Sequence, residues 1–353
     1  MLEVAGGFAR SRSGSIMPLF FLSLVPLITA IGFSVDYTDA VQTRSNMQEA
    51  LDAATLAITT LPTTTTTAAR QQALQDNFVA NNGQGAATLV SFNVAADGTS
   101  TAQTSASFAM PTNFMTIARI NTVPVAVNSG VSKAPALVQA TFKVDKASGW
   151  WNKTIYLYGT QFGATTAQKL LQITYTYNGF GDPKGYGTTT VSTVSGTNLT
   201  QVQQQVCTTA TVPNFNNAPA GSIQQTSGNK KYLTTCVTTP ANGSGAVIDV
   251  SQMNDLYLEM DVPSASRKVL KSNDPTTSNY MFIGATDTTA VEMPLGQAID
   301  IFTAVPCGQT STQAWEDGGS LPLPEPITSA DFFYTVTGKC DFNQRPSLTA
   351  LTQ

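Results

Sequence analysis

The sequence contains no histidine. Its absence excludes Ser-His-Asp and Cys-His activation of a nucleophile, imidazole ligation of metals and histidine acid–base chemistry. Charge is scarce as well, with 11% of the 353 residues being Asp, Glu, Lys or Arg. A formal net charge of −4 leaves no electrostatic footprint for nucleic acid, so none is expected as a partner. The four cysteines include no CxxC pair, which excludes the common zinc and thioredoxin-like arrangements. With these chemistries gone, any catalysis would need carboxylates, lysine or a backbone device; the chain is read as a non-enzyme, and no catalytic residue, metal site or cofactor is assigned. What is abundant instead is Thr, Ser, Asn, Gln and Ala, a composition that suits an extracytoplasmic surface. The length allows two or three compact units, each with its own core.

Cys207, Cys236, Cys307 and Cys340 are even in number and all lie in the C-terminal half. Two disulfides in an oxidising compartment fit this pattern better than buried free thiols. Four cysteines allow three connectivities, and sequential pairing is preferred because each bond would staple one local excursion of the chain.

One long apolar run is present, Ile16 to Val35, without a single charge. As a helix it would span ~30 Å, the thickness of a bilayer's hydrocarbon core. Arg10 and Arg12 precede it, while Asp36 and Asp39 follow. The positive-inside rule then puts residues 1–15 in the cytoplasm and the rest across the membrane. Pro18 falls in the first turn, and Pro26 predicts a kink. A cleavable signal peptide is the competitor, but its apolar region is shorter and ends in a small-residue cleavage site. Here the helical pattern continues. Tyr37, Ala40, Val41, Met47, Ala50, Leu51, Ala54, Ala57 and Ile58 recur at three- and four-residue steps and make one apolar stripe. Leu61-Pro62 ends the helix and Thr63–Thr67 reads as a loop. The membrane part is expected to pack against other helices of an assembly, and most of the stripe against this protein's own next elements.

The stretch GSIMPLFFLSLVPLITAIGFSVDYTDAVQTRSNMQEALDAATLAIT, with its basic approach and its Asp36-Tyr37 pair at the membrane exit, resembles the N-terminus of TadG-like (TadE/TadG) proteins of bacterial tight-adherence, or Flp, pilus systems. A second similar stretch is PTNFMTIARINTVPVAVNSGVSK, ending at Lys133. The resemblance implies a non-catalytic structural or assembly component of a pilus, held in or assembled from the bacterial inner membrane as a single-pass protein. It implies other pilus-assembly or pilin-like subunits as partners, with homo-oligomers as one form, and a body that is periplasmic, extracellular or part of a surface filament. Two departures matter. Type IV prepilins carry Glu five residues after the cleaved Gly, where Leu19 stands here relative to Gly14. The Asp-x-Ser-x-Ser metal motif of larger relatives meets only Asp249-Val250-Ser251-Gln252-Met253.

After the helix, Ala68–Asn82 reads as a second helix, Thr88–Val94 and Thr101–Phe108 as a hairpin across Asp97-Gly98, Phe114–Ala118 as a helical turn and Val123–Val131 as a third strand. Residues 36–133 would thus form a small pilin-like α+β unit. Ala134-Pro135-Ala136 is a linker, and 138–353 reads as a β-rich antiparallel, sandwich-like domain. The fold class is α+β. Thr197–Val206 is expected to be a short helix, and Ile299–Phe302 a strand.

Three constellations could carry chemistry. Asp255, Glu259 and Asp261 share one strand face, but the opposite face is apolar, so they are read as a solvated face rather than a glycosidase pair. Trp315-Glu316-Asp317-Gly318-Gly319 is read as an acidic turn with too few ligands for calcium. Trp150-Trp151 could be a binding platform, which keeps open an envelope-tethered carbohydrate- or protein-binding module as the alternative function. The Gly-rich stretch 179–187 lacks the Gly-Lys-Ser/Thr of a phosphate loop and reads as a turn.

Overall fold

The computed structural model describes residues 16–241, 243, 245–284, 291–294, 296–305, 307–318, 330–345 and 349–352. The basic segment 1–15, with Arg10, Arg12 and Gly14, lies outside them, as does Gly319. The chain forms two compact units, one running to Ala134 and including the C-terminal strand Thr349–Leu351, the other Pro135–Arg345. The class is α+β, with two N-terminal helices followed by three antiparallel sheets.

In the first unit, α1 is one continuous helix, Ile16–Ile58, 43 residues long. At 1.5 Å per residue it measures about 65 Å, twice a hydrocarbon core. The chain turns beyond it at Leu61-Pro62. Arg70, on α2 (Thr67–Ala80), is buried and donates to the α1 carbonyl of Ile58 and to Pro62 O at 2.8 Å. A cation among the last carbonyls satisfies acceptors that the helix itself leaves open. Thr66 caps α2 through its hydroxyl, 3.2 Å from Ala69 N.

Strands β1 (Ala86–Val94), β2 (Ser100–Pro111) and β3 (Thr122–Lys133) form a sheet in that order, and Thr349–Leu351 adds a fourth strand beside β3. Met47, Ala50, Leu51, Ala54 and Ile58 of α1 are buried together with Ala102 and Ala106 of β2 and Val125 and Val127 of β3. The inward face of β2 is small (Ala102, Thr104, Ala106), which lets the helix lie close. Thr55 and Thr104 hydroxyls bond across the contact at 2.7 Å. Pro124 pairs with Ala109 on a stretch of β3 beyond the reach of the fourth strand, a tolerable place for a residue without an N–H.

The second unit carries fourteen labelled strands: β4 (Ala136–Ala147), β5 (Lys153–Gln161), β6 (Gln168–Tyr177), β7 (Gly187–Ser195), β8 (Asn198–Val212), β9 (Ile223–Ser227), β10 (Lys230–Thr239), β11 (Ala246–Asp249), β12 (Met253–Asp261), β13 (Val269–Lys271), β14 (Met281–Ile283), β15 (Val291–Glu292), β16 (Thr310–Trp315) and β17 (Phe332–Asp341). An eight-stranded sheet runs β13-β12-β5-β6-β7-β8-β10-β9 and a six-stranded one β11-β4-β17-β16-β14-β15. One core lies between them. Ile155, Leu157, Ile173, Tyr175, Leu258 and Met260 come from the first sheet, and Phe142, Val144, Trp315, Phe332, Tyr334 and Val336 from the second. Alternation along much of β4, β6 and β12 sends the residues of these strands inward. The buried polar tips are answered: Trp315 Nε1 donates to the Tyr334 hydroxyl at 3.1 Å, which donates to Gln313 Oε1 at 2.7 Å.

Two expectations are corrected. Thr197–Val206 is part of strand β8, not a helix. The inward face of β8 is polar (Gln203, Gln205, Thr209), so Leu199, Val202 and Val206 merely mimicked a helical stripe. Gln203 and Gln205 donate to Val144 O and Asp145 O of the facing sheet at 3.4 and 3.0 Å, which makes their burial tolerable. Ile299–Phe302 is not a strand: a single helical turn, Ile301–Ala304, starts there because the Asp300 carboxylate accepts from Phe302 N at 2.9 Å.

Candidate functional site

Most described side chains of the apolar run that begins α1 are exposed. Phe20, Phe21, Leu22, Leu27 and Ile31 are all more than half exposed. Among the described residues, α1 is the one helix long and apolar enough to cross a membrane. Burying each such side chain is worth about 1.5–3 kcal/mol, so water is the wrong surrounding for this segment.

Where the run ends, the helix changes environment within one turn. Asp36 is buried, and its carboxylate accepts from the backbone N–H groups of Asn113, Phe114 and Met115 at 2.9, 3.0 and 2.6 Å. These open the 3-10 turn Met115–Ala118. Burial works against the charged form, but the three N–H groups outweigh it and hold the Asp36 carboxyl below the usual carboxylate range. One turn earlier, Gly32 leaves room for Phe114; a Cβ there would overlap the Phe114 Cβ. Gly32 and Asp36 together therefore clamp the 112–120 loop to the helix. Tyr37 points the other way: it is 62% exposed and stacks on Phe33 with ring centroids 6.2 Å apart. Sequence reading singled out Asp36 and Tyr37 as a pair; the structure divides them, Asp36 inward and Tyr37 outward. It missed Gly32, whose signal was its spacing four residues before Asp36.

Residues 14–57 match the TadE/G-like Flp pilus-assembly family. The chain therefore carries a TadE/G-like segment, and that segment ends within one residue of the end of α1. No curated protein and no solved structure matches the chain. A single N-terminal apolar helix of this family, followed by a disulfide-bearing body, points to a membrane-anchored extracytoplasmic protein.

In the body, cysteine pairing is sequential. Cys207 bonds Cys236, its direct neighbour across β8 and β10, with 4.0 Å between Cα atoms, and Cys307 bonds Cys340 with 5.2 Å. Trp150 and Trp151 are 59% and 37% exposed, and Trp150 Nε1 donates to Asp182 O at 3.2 Å. The acids of β12 lie on the face opposite the core. Glu259 pairs with Lys271 at 2.8 Å, and Tyr158 and Tyr257 stack beside them at 5.1 Å. Glu259 and Asp261 are half-buried there, while Asp255 is exposed.

The acidic turn is no ordinary turn. Asp317 is buried, and with Glu316 and Asp331 it forms a group whose carboxylate oxygens lie within 4.8 Å of one another. Cations from the chain itself answer them. Lys153, fully buried at the start of β5, meets Asp317 Oδ2 directly and Asp331 Oδ2 at 3.8 Å, while Lys184 holds Asp331 Oδ1 at 2.9 Å. Burial pushes the Asp317 carboxyl up to about 6, with Lys153 opposing and Asp331 adding to the rise. Burial, then Asp331 and Asp317, push Glu316 up to about 7. Sequence reading had Glu316 and Asp317 but not Asp331, which the β16–β17 pairing brings beside them, nor Lys153 from the facing sheet, nor Lys184.

Proposed function

We propose that this protein is a non-catalytic structural or assembly component of a Flp-type pilus. It sits in the bacterial inner membrane through residues 16–35, with residues 1–15 cytoplasmic and the body periplasmic, extracellular or in a surface filament. The observation that carries this reading is the TadE/G-like match, which coincides with a helix half uncovered and apolar, half packed on its own sheet. The uncovered half needs lipid or other subunits' helices around it. Arg10 and Arg12 before the span, with Asp36 and Asp39 after it, favour the orientation. The missing Glu at Leu19 favours a lasting anchor over a processed fibre subunit.

Protease added to spheroplasts should digest the body while leaving the N-terminus shielded; a shielded body overturns the orientation. Cells lacking the chain should lose Flp-type surface filaments, and normal filaments in their absence overturn the assembly role. A second reading, an envelope-tethered carbohydrate- or protein-binding module, draws on the exposure of Trp150 and Trp151. Glycan or partner binding lost in Trp150→Ala and Trp151→Ala would favour it.

A further inference from the structure

We propose that Lys153 and Asp317 join through an intramolecular amide bond, Nζ to Cγ, with Asp331 carrying the proton, so that the two sheets of the body are covalently linked.

The geometry brings every participant together. Lys153 Nζ is pinned between Ser148 O, at 2.8 Å, and the Asp317 carboxylate. The Lys153 side chain is 0% and that of Asp317 7% exposed. Lys153 opens β5 of the eight-stranded sheet, whereas Asp317 follows β16 of the six-stranded one. Water is kept out on several sides. The Tyr175 ring lies 5.3 Å from Nζ, its hydroxyl tied to Gly149 O and Gly185 O at 2.8 and 3.1 Å. The Gly149 backbone, at φ +107°, closes in so tightly that a Cβ there would lie 2.9 Å from Nζ and 3.0 Å from Asp317 Oδ2. Only glycine suits both that φ and that gap.

An amide forms from the neutral pair, an amine and a carboxylic acid. A buried ion pair keeps a desolvation cost that proton transfer from ammonium to carboxylate removes. Burial raises the Asp317 carboxyl, which favours its protonated form. The amine lone pair then attacks Cγ and the C–N bond forms. Asp331 Oδ2 accepts a proton from the nitrogen and delivers it to the Asp317 hydroxyl. The C–O bond breaks and one water leaves. Ammonium plus carboxylate thus become amide plus water, with no oxidant or second reactant. Lys184 on Oδ1 keeps Asp331 aligned for this. A dry site favours the amide, because water is the product expelled.

The test is peptide mapping of the full chain, purified from membranes, denatured, reduced and digested. The expected result is one branched species that unites the Lys153 and Asp317 peptides and is lighter by one water than their sum. Recovery of linear peptides with a free Lys153 amine as the main product overturns the proposal and leaves an ordinary buried ion pair. Lys153→Arg and Asp317→Ala should give linear peptides only. Asp331→Asn should leave most chains unlinked; if it stays fully branched, Asp331 is not the proton carrier, although the bond stands. The wild-type map decides the bond even where a variant fails to fold, and its outcome does not depend on the pilus assignment.

Discussion

At the scale of single residues, Asp36 and Glu316 respond to pH in opposite senses. Asp36 is depressed in the fold, so its contribution is complete above its ordinary 3.8 and is lost as pH falls through the lower folded value. Asp36→Asn should therefore loosen the 112–120 loop at neutral pH, read as faster hydrogen exchange at the amides of Asn113, Phe114 and Met115. Glu316 is the reverse case. Its carboxyl rises from 4.5 to about 7, so between those values the folded chain holds more protons than the unfolded one. Stability must fall as pH rises through that window. Glu316→Gln should flatten this slope in urea midpoints measured across it. An unchanged slope would mean that another group carries the titration.

At the scale of elements, α1 holds two surfaces on one helix. From Met47 to Ile58 it is part of a core, and Leu51→Ala should cost about 2–5 kcal/mol in the first unit's unfolding. Val41, on the same sequence stripe, is 52% exposed, and Val41→Ala should change stability by no more than ~0.5 kcal/mol. Any effect of Val41 would then appear in assembly, not in folding. The stripe looks uniform in sequence because periodicity reports a face, not what covers it; the first unit's core packs against Ala40 and Thr43 but leaves Tyr37 and Val41 exposed. Among the body's elements, the Cys307–Cys340 bond closes a separation of 33 residues. Replacing both cysteines by Ala should cost about 2–4 kcal/mol, measured by denaturant unfolding under non-reducing conditions.

At the scale of the whole molecule, the chain order is not two beads in series. The last strand, Thr349–Leu351, pairs with β3 of the first unit, so the body is inserted between two strands of one sheet. Ending the chain after Arg345 should destabilise the first unit, seen as a lower unfolding midpoint, while the melting of the body is unchanged. Deleting residues 1–35 should release the remainder in soluble form; if it still sediments with membranes, the helix is not the sole anchor.

Local chemistry determined much of this in the sequence alone. An uncharged run long enough to cross a bilayer, its continuation at helical spacing, Asp97-Gly98 between alternating segments and the even cysteines each report a short-range property, and those elements were legible. Period-two alternation likewise announced β4, β6 and β12. Only the tertiary structure decided which residues meet. Nothing local marks Lys153, 164 positions from Asp317, as its partner, nor Ser148 and Tyr175 as the walls around them. Nothing in a polar run such as 198–212 says that its glutamines face inward, because their burial depends on carbonyls offered by a sheet elsewhere in the chain. The first kind of information is fixed by the geometry of neighbouring residues. The second exists only once the chain has closed on itself, when burial turns an acid, an amine and a glycine into one site.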